Sequence, residues 1–393
     1  MPADSATPRS KTPLWIVLVA NAFVLVVLLG LGEIAFRVLR VDFVKLQAGG
    51  KDPRDAYPLC FREPDEPLGD AFFKRTGGQT WTGRPLAEAL PLFHATDQAY
   101  ADEAPFTLTF DREGFRNPAP LTDWDVAVVG DSFTESGYLP FEQIFTSVAA
   151  EASKLRIKNL GACHTGPLSH VEFLKRFGSA ASCRHAVLAF FEGNDIRDAE
   201  RETADLKHFR ETGTRPSREI PPQTSLIKAI WQTAKSVVKG KPAVRFQNAT
   251  FIGAGKSLPI TIKTPPLPEN PDTLTNEQHA LVSTFLDAWS ETARANGVKP
   301  WLLYIPSNPR TYHGLVRYEP NVATPLREWT PTALPAFIQQ LCEEKGIAFI
   351  DTCPALRSAA EKGTLVFNPI FDTHLNAEGS RVVGETLATA LRR

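Results

Sequence analysis

The chain has 393 residues, 43% of them apolar and 22% charged, which suits a globular protein with a full core rather than a disordered one. Its 43 basic and 44 acidic residues leave a net charge of −1, so there is no basic field to draw it onto nucleic acid, and that partner class is set aside. Five cysteines (Cys60, Cys163, Cys183, Cys342, Cys353) contain no C-x-x-C pair and no zinc spacing, so no metal, no cofactor and no defined disulfide are expected.

In chain order, a leader of residues 1–13 precedes Leu14 to Gly32, nineteen residues without a charge. As a helix this run spans about 28 Å at 1.5 Å per residue, close to the thickness of bilayer hydrocarbon. Its only A-x-A (Ala20, Asn21, Ala22) lies in the middle of the run, so an uncleaved transmembrane anchor is expected rather than a cleaved signal peptide. Arg9 and Lys11 before it and Arg37, Arg40 and Lys45 after it do not fix orientation. Long domains translocate largely regardless of such charges, so the body is expected on the extracytoplasmic, periplasmic side.

Residues 33–120 read as a juxtamembrane and irregular lead-in, with an extended piece around Phe106 to Phe110. From 121 to 393 the pattern alternates. Strands are expected at Val126–Val129, Arg156–Leu160, Ala186–Phe191, Trp301–Ile305 and Ala348–Ile350. Between them fall helical spacings: Phe141 to Ala149, a short helix after Gly166-Pro167, and a run opened by a Thr275/Gln278 capping box. Another runs from Leu334 to Cys342, and a last helix starts near Asn376. Strands alternating with helices imply a three-layer α/β domain, flavodoxin-like, on a five-stranded parallel sheet. Residues 197–274 break this pattern and read as an insertion. Within it, Ser225 to Gly240 forms a basic amphipathic helix suited to ordinary packing, to a membrane surface or to a lid.

Three successive strands end in Gly130-Asp131-Ser132, Gly161 and Gly193-Asn194. On one parallel sheet these groups gather at the carboxyl edge, where such folds bind ligands. Each triplet alone is common, but their ordered recurrence at strand ends is informative. A serine needs a base and oxyanion donors to act as a nucleophile. Of eight histidines only His374 sits in Asp-x-His, with Asp372, on a loop before the last helix; His164 and His170 read as structural. Asp131 and Asp195 read as loop-ordering carboxylates.

With these blocks in place, residues 125–393 resemble the SGNH hydrolases, also called GDSL esterases or lipases. The resemblance implies Ser132 as nucleophile, His374 and Asp372 as base and acid, and Ser132, Gly161 and Asn194 as oxyanion donors. The family commonly spaces its last pair Asp-x-x-His, whereas this chain has Asp372-Thr373-His374, a spacing that some membrane-linked relatives handling sugar acetyl groups share. The expected activity is removal of acyl groups, O-acetyl above all, from an envelope saccharide or lipid. O-acyl transfer to a polysaccharide from the same site, or a tethered binding protein without turnover, are the alternatives.

Overall fold

The computed structural model describes residues 13–47, 52–55, 73–89, 100, 102–117, 121–216, 222–238, 246–263, 267–370 and 373–392. Cys60 and Asp372 lie outside them. The chain divides into two compact units, one made of Met1–Asp55 with Ile220–Ala243, the other of Ala56–Glu219 with Val244–Arg393.

In the larger unit the strands are β1 (Thr80–Gly83), β2 (Phe106–Thr109), β3 (Val126–Gly130), β4 (Ile157–Gly161), β5 (His185–Phe191), β6 (Phe246–Phe251), β7 (Leu258–Lys263), β8 (Lys299–Ile305), β9 (Val316–Tyr318) and β10 (Ala348–Asp351). Five of them form one parallel sheet in the order β10-β8-β5-β3-β4. That is the flavodoxin-like order, second-first-third-fourth-fifth. The chain crosses to the other side of β3 after β4, so the carboxyl ends of β3 and β5 flank the point where strand order reverses, the usual place for a ligand. The apolar run explains the burial of every residue of β3; β4 is buried throughout as well, its Lys158 bonded to Glu113 at 2.6 Å and its Asn159 to the Thr134 carbonyl at 2.7 Å, and one apolar cluster fills each face of the sheet.

The helices Phe145–Ser153 and Ala377–Leu391 cover one face; Pro167–Phe177, Asn276–Ala295 and Leu334–Glu344 cover the other. The capping box at Thr275 is formed, with Gln278 N–H donating to Thr275 Oγ1 at 3.2 Å and Thr275 N–H to Gln278 Oε1 at 2.9 Å. Two differences from the sequence reading stand out. Residues 197–212, read as the start of an irregular insertion, belong to an 18-residue helix, Asp195–Thr212, which buries Ile196, Ala199 and Leu206. Its polar composition is misleading because Glu202 points inward, accepting N–H bonds from Gly166 (2.7 Å) and Leu168 (3.0 Å) at the start of the helix Pro167–Phe177. The second difference is a three-stranded antiparallel sheet, β7-β6-β9, which no sequence pattern announced.

In the smaller unit, Leu14–Val38 is one continuous helix of 25 residues, none of them buried, long and apolar enough to cross a membrane. A second helix, Leu226–Val238, belongs to the same unit.

Candidate active site

Gly130 ends β3 because the chain must turn at once: a Cβ there would stand 2.2 Å from Thr134 Oγ1. The turn leads into a single helical turn, Ser132–Glu135, capped by Asp131, whose Oδ1 accepts the Phe133 N–H at 2.8 Å. Ser132 is thereby left at a helix start beyond the strand. Its own N–H has no hydrogen-bond partner among the described residues.

His374 arrives from the far end of the chain. Its carbonyl accepts the Asn368 N–H at 2.9 Å, and the next residue, Leu375, bridges to Phe367. Asn376 then caps the last helix, accepting from Gly379 N–H at 2.9 Å and donating to the Leu365 carbonyl at 2.8 Å. Tyr312 Oη accepts the N–H groups of Val366 (2.9 Å) and Phe367 (3.1 Å), fixing the loop from beneath. The imidazole lies against the rings of Phe133 (4.6 Å between centroids) and Tyr138 (5.2 Å). Its Nε2 stands 2.7 Å from Ser132 Oγ. Two side chains 242 positions apart are thus within reach of one proton.

Asn194, at the end of β5, lines the same cleft of about 240 Å³ together with Ser132, His374, Phe133, Phe191 and Arg197. Its Nδ2 donates to Asp198 Oδ2 at 2.9 Å and, over a longer 3.3 Å, to Asp131 Oδ2. Gly161 is placed differently from the sequence reading. Its N–H is already donated to Asn159 Oδ1 at 2.8 Å, it is buried, and it does not line the cleft. It is a glycine for packing: a Cβ would stand 2.3 Å from Glu135 N. A glycine closing a strand looks the same in sequence whichever reason holds.

The loop-ordering aspartates are where the sequence puts them. Asp195 Oδ2 accepts the Phe191 N–H at 3.0 Å, and burial, with Asp131 and Asp198 nearby, drives its carboxyl well above the usual range. Asp131 is buried too, and desolvation pushes it up to about 6. The native state therefore holds a proton that the unfolded chain has lost between about pH 4 and 6, so ionising Asp131 removes stability as pH rises through that window. Asp131→Asn is expected to flatten the fall in thermal midpoint from pH 4 to pH 6 relative to the natural chain. A slope unchanged by the substitution would clear Asp131 of that role. His170 is a core residue: bonded to Thr165 Oγ1 at 3.1 Å and fully buried, its imidazole is pushed down to about 3 and stays neutral.

Several supporting residues escaped the sequence reading. Arg75 reaches Glu135 with two bonds (3.3 and 2.9 Å) in a pair whose side chains are both 0% exposed. Arg116 donates to the carbonyls of Glu135 (3.1 Å), Ser136 (2.6 Å) and Leu139 (3.0 Å). The segment before the sheet is thus a clamp on the turn that carries Ser132. Glu192 accepts from Ser307 N–H (2.8 Å), Tyr304 Oη (2.5 Å) and Arg310 Nε (2.5 Å), holding the Ser307–Pro309 wall of the cleft. Asn159 is the hub on the other side. It donates to the Thr134 carbonyl (2.7 Å) and Thr146 Oγ1 (3.1 Å) and accepts from Gly161. An asparagine inside a strand of the parallel sheet was the one visible signal. Asn159→Ala strands buried groups on three elements and is expected to cost about 2–4 kcal/mol, read by chemical denaturation.

No family model and no curated protein matches this chain. Among solved structures it is similar to a member of the lipolytic protein G-D-S-L family from Veillonella parvula DSM 2008, at 10% identity and a TM-score of 0.34, covering 68% of this chain and 98% of that one. It is also similar to LAE5, an alpha/beta hydrolase enzyme from the metagenome of Lake Arreo, at 13% identity and a TM-score of 0.34, covering 68% and 94%. A third is a carbohydrate esterase family 2 enzyme plus carbohydrate binding domain from Corynascus thermopiles, at 14% identity and a TM-score of 0.33, covering 73% and 70%. At such values likeness decides nothing about chemistry, which rests on the distances above.

Proposed function

We propose that the chain is a serine ester hydrolase of the SGNH type, anchored through its first helix and acting on short acyl esters, O-acetyl above all, of an envelope saccharide or lipid. The 2.7 Å contact between Ser132 Oγ and His374 Nε2 in an open cleft carries the reading. Ser132 Oγ attacks the ester carbonyl carbon as His374 Nε2 takes its proton, and His374 returns that proton to the departing alcohol oxygen. Water, deprotonated by the same imidazole, then attacks the acyl-serine, the Oγ–acyl bond breaks as His374 returns the proton to Ser132 Oγ, and the acid is freed. The unpartnered Ser132 N–H and Asn194 Nδ2 are the donors for the oxyanion, Asn194 giving up its longer bond to Asp131. Asp372 is assigned as the acid that orients His374, on the Asp-x-His motif. The small cleft, floored by Phe133 and Phe191, suits a short acyl chain.

A fluorophosphonate probe applied to the full-length protein tests this directly. One adduct is expected, mapped by peptide mass to Ser132 and absent from His374→Ala, whose serine is no longer activated. Labelling elsewhere, or no labelling under conditions where p-nitrophenyl acetate is cleaved, would refute the assignment. The body is placed on the extracytoplasmic side, and a phosphatase reporter fused after Arg393 is expected to be active in cells; an inactive one would reverse the orientation.

A further inference from the structure

Taken as a helix at about 100° per residue, Leu226–Val238 gathers Leu226, Ile227, Ile230, Trp231 and Ala234 within an arc of about 140°. In an ordinary surface helix that arc would face the core. Here the residue that is buried is Ala229, on another side, while Ile227, Ile230 and Trp231 are 53, 47 and 67% exposed. Among the described residues the helix therefore buries Ala229 and half-buries Leu226 at the edge of the arc, close to Gly32, and leaves Ile227, Ile230, Trp231 and Ala234 exposed. Lys228 and Lys235 fall at the margin of the exposed arc, next to Trp231, and residues 222–238 contain no acidic side chain.

The start of this helix is also pinned at a defined depth. Glu33 is the first charge after the uncharged run Leu14–Gly32, so in a bilayer it marks the level where hydrocarbon ends. Glu33 Oε2 accepts the Ile227 N–H at 3.0 Å. Nine residues further on, Asp42 Oδ1 accepts the Gln223 N–H at 3.1 Å, and the Phe43 N–H donates to the Gln223 carbonyl at 2.9 Å.

We propose that Leu226–Val238 is a second, non-spanning membrane contact: it lies in the headgroup layer, inserting Ile227, Ile230 and Trp231 between acyl chains and setting Lys228 and Lys235 against lipid phosphates. The proposal rests on reading Leu14–Val38 as a membrane span, which supplies the depth; it does not rest on the esterase chemistry. An indole at the boundary with basic neighbours is the side-chain set that interfacial helices use. An anionic leaflet would strengthen the contact through the two lysines.

The test uses the full chain in bilayer nanodiscs of phosphatidylcholine and phosphatidylglycerol, with tryptophan emission quenched by lipids brominated either near the headgroup or near the chain end. Trp15 reports the span and Trp231 the second helix. Trp15→Phe and Trp231→Phe are each expected to remove about half of the lipid-quenchable emission, and the double variant nearly all of it. The Trp231 component is expected to respond more to the shallow bromines than to the deep ones. If Trp231→Phe leaves the quenchable emission unchanged while Trp15→Phe reduces it, the proposal fails and the anchor stands. If neither changes it, both fail. A Trp231 shielded from aqueous acrylamide yet untouched by brominated lipid overturns the proposal in favour of a protein-covered face.

Discussion

Replacing Ser132 by alanine is expected to lower hydrolysis of an acetyl ester by about 10⁴- to 10⁶-fold while leaving the fold intact. The side chain is only half-buried and its Oγ makes one bond, to His374, so little stability goes with it. His374→Ala is expected to cost a similar factor, because a serine without its base is a weak nucleophile at neutral pH. The double variant should be no worse than either single one, since the two groups act as a unit. Steady-state rates with p-nitrophenyl acetate, measured beside thermal midpoints to establish folding, check all three. Residual activity above about a tenth in folded Ser132→Ala would assign the chemistry to another group.

The second large effect is on stability and comes from a residue far from the chemistry in sequence. Arg75→Met takes the guanidinium away from the Glu135 carboxylate at a site with no solvent access, and breaking such a buried pair from one side typically costs about 3–5 kcal/mol. For a unit of this size that corresponds to a fall of about 10 °C in the thermal midpoint. Because Glu135 closes the helical turn that Ser132 opens, and its Oε2 also accepts the Cys163 N–H at 2.9 Å, catalysis should fall together with stability. Arg75→Met with Glu135→Met should recover much of the midpoint, since two apolar side chains of similar volume replace the pair without leaving a charge. A double variant as unstable as the single one would show that shape, not charge, holds the turn.

What could be read from sequence follows from which physics is local. Three of the five sheet strands were visible because strands buried on both faces must be apolar runs, and Val126–Gly130, His185–Phe191 and Lys299–Ile305 are such runs within a residue or two. The Thr275 cap was legible because a capping box is satisfied by residues three positions away. Ser132, Asn194 and His374 could be named because each closes or follows a recognisable element. Arg75, Arg116 and Asn159 could not, since their partners lie 60, 19 and 25 positions away, where no spacing rule reaches. Asp195–Thr212 was misread for the same reason: Glu202 looks solvated until Gly166, 36 positions back, is seen to need an acceptor. Gly161 shows the converse limit, a residue whose location was right and whose job was not.

The division of the chain into units has a topological consequence. The smaller unit takes the chain from the beginning and borrows Ile220–Ala243 from the middle, so the polypeptide passes between units three times, near 55, 219 and 243. A protease that nicks the first passage is expected to leave the larger unit covalently joined to Ile220–Ala243. The severed leading fragment stays clasped to the borrowed segment through Glu33 with Ile227 and Asp42 with Gln223. With Leu14–Val38 as a membrane span, a single scission there is therefore expected to leave the larger unit attached, which fractionation after limited proteolysis checks.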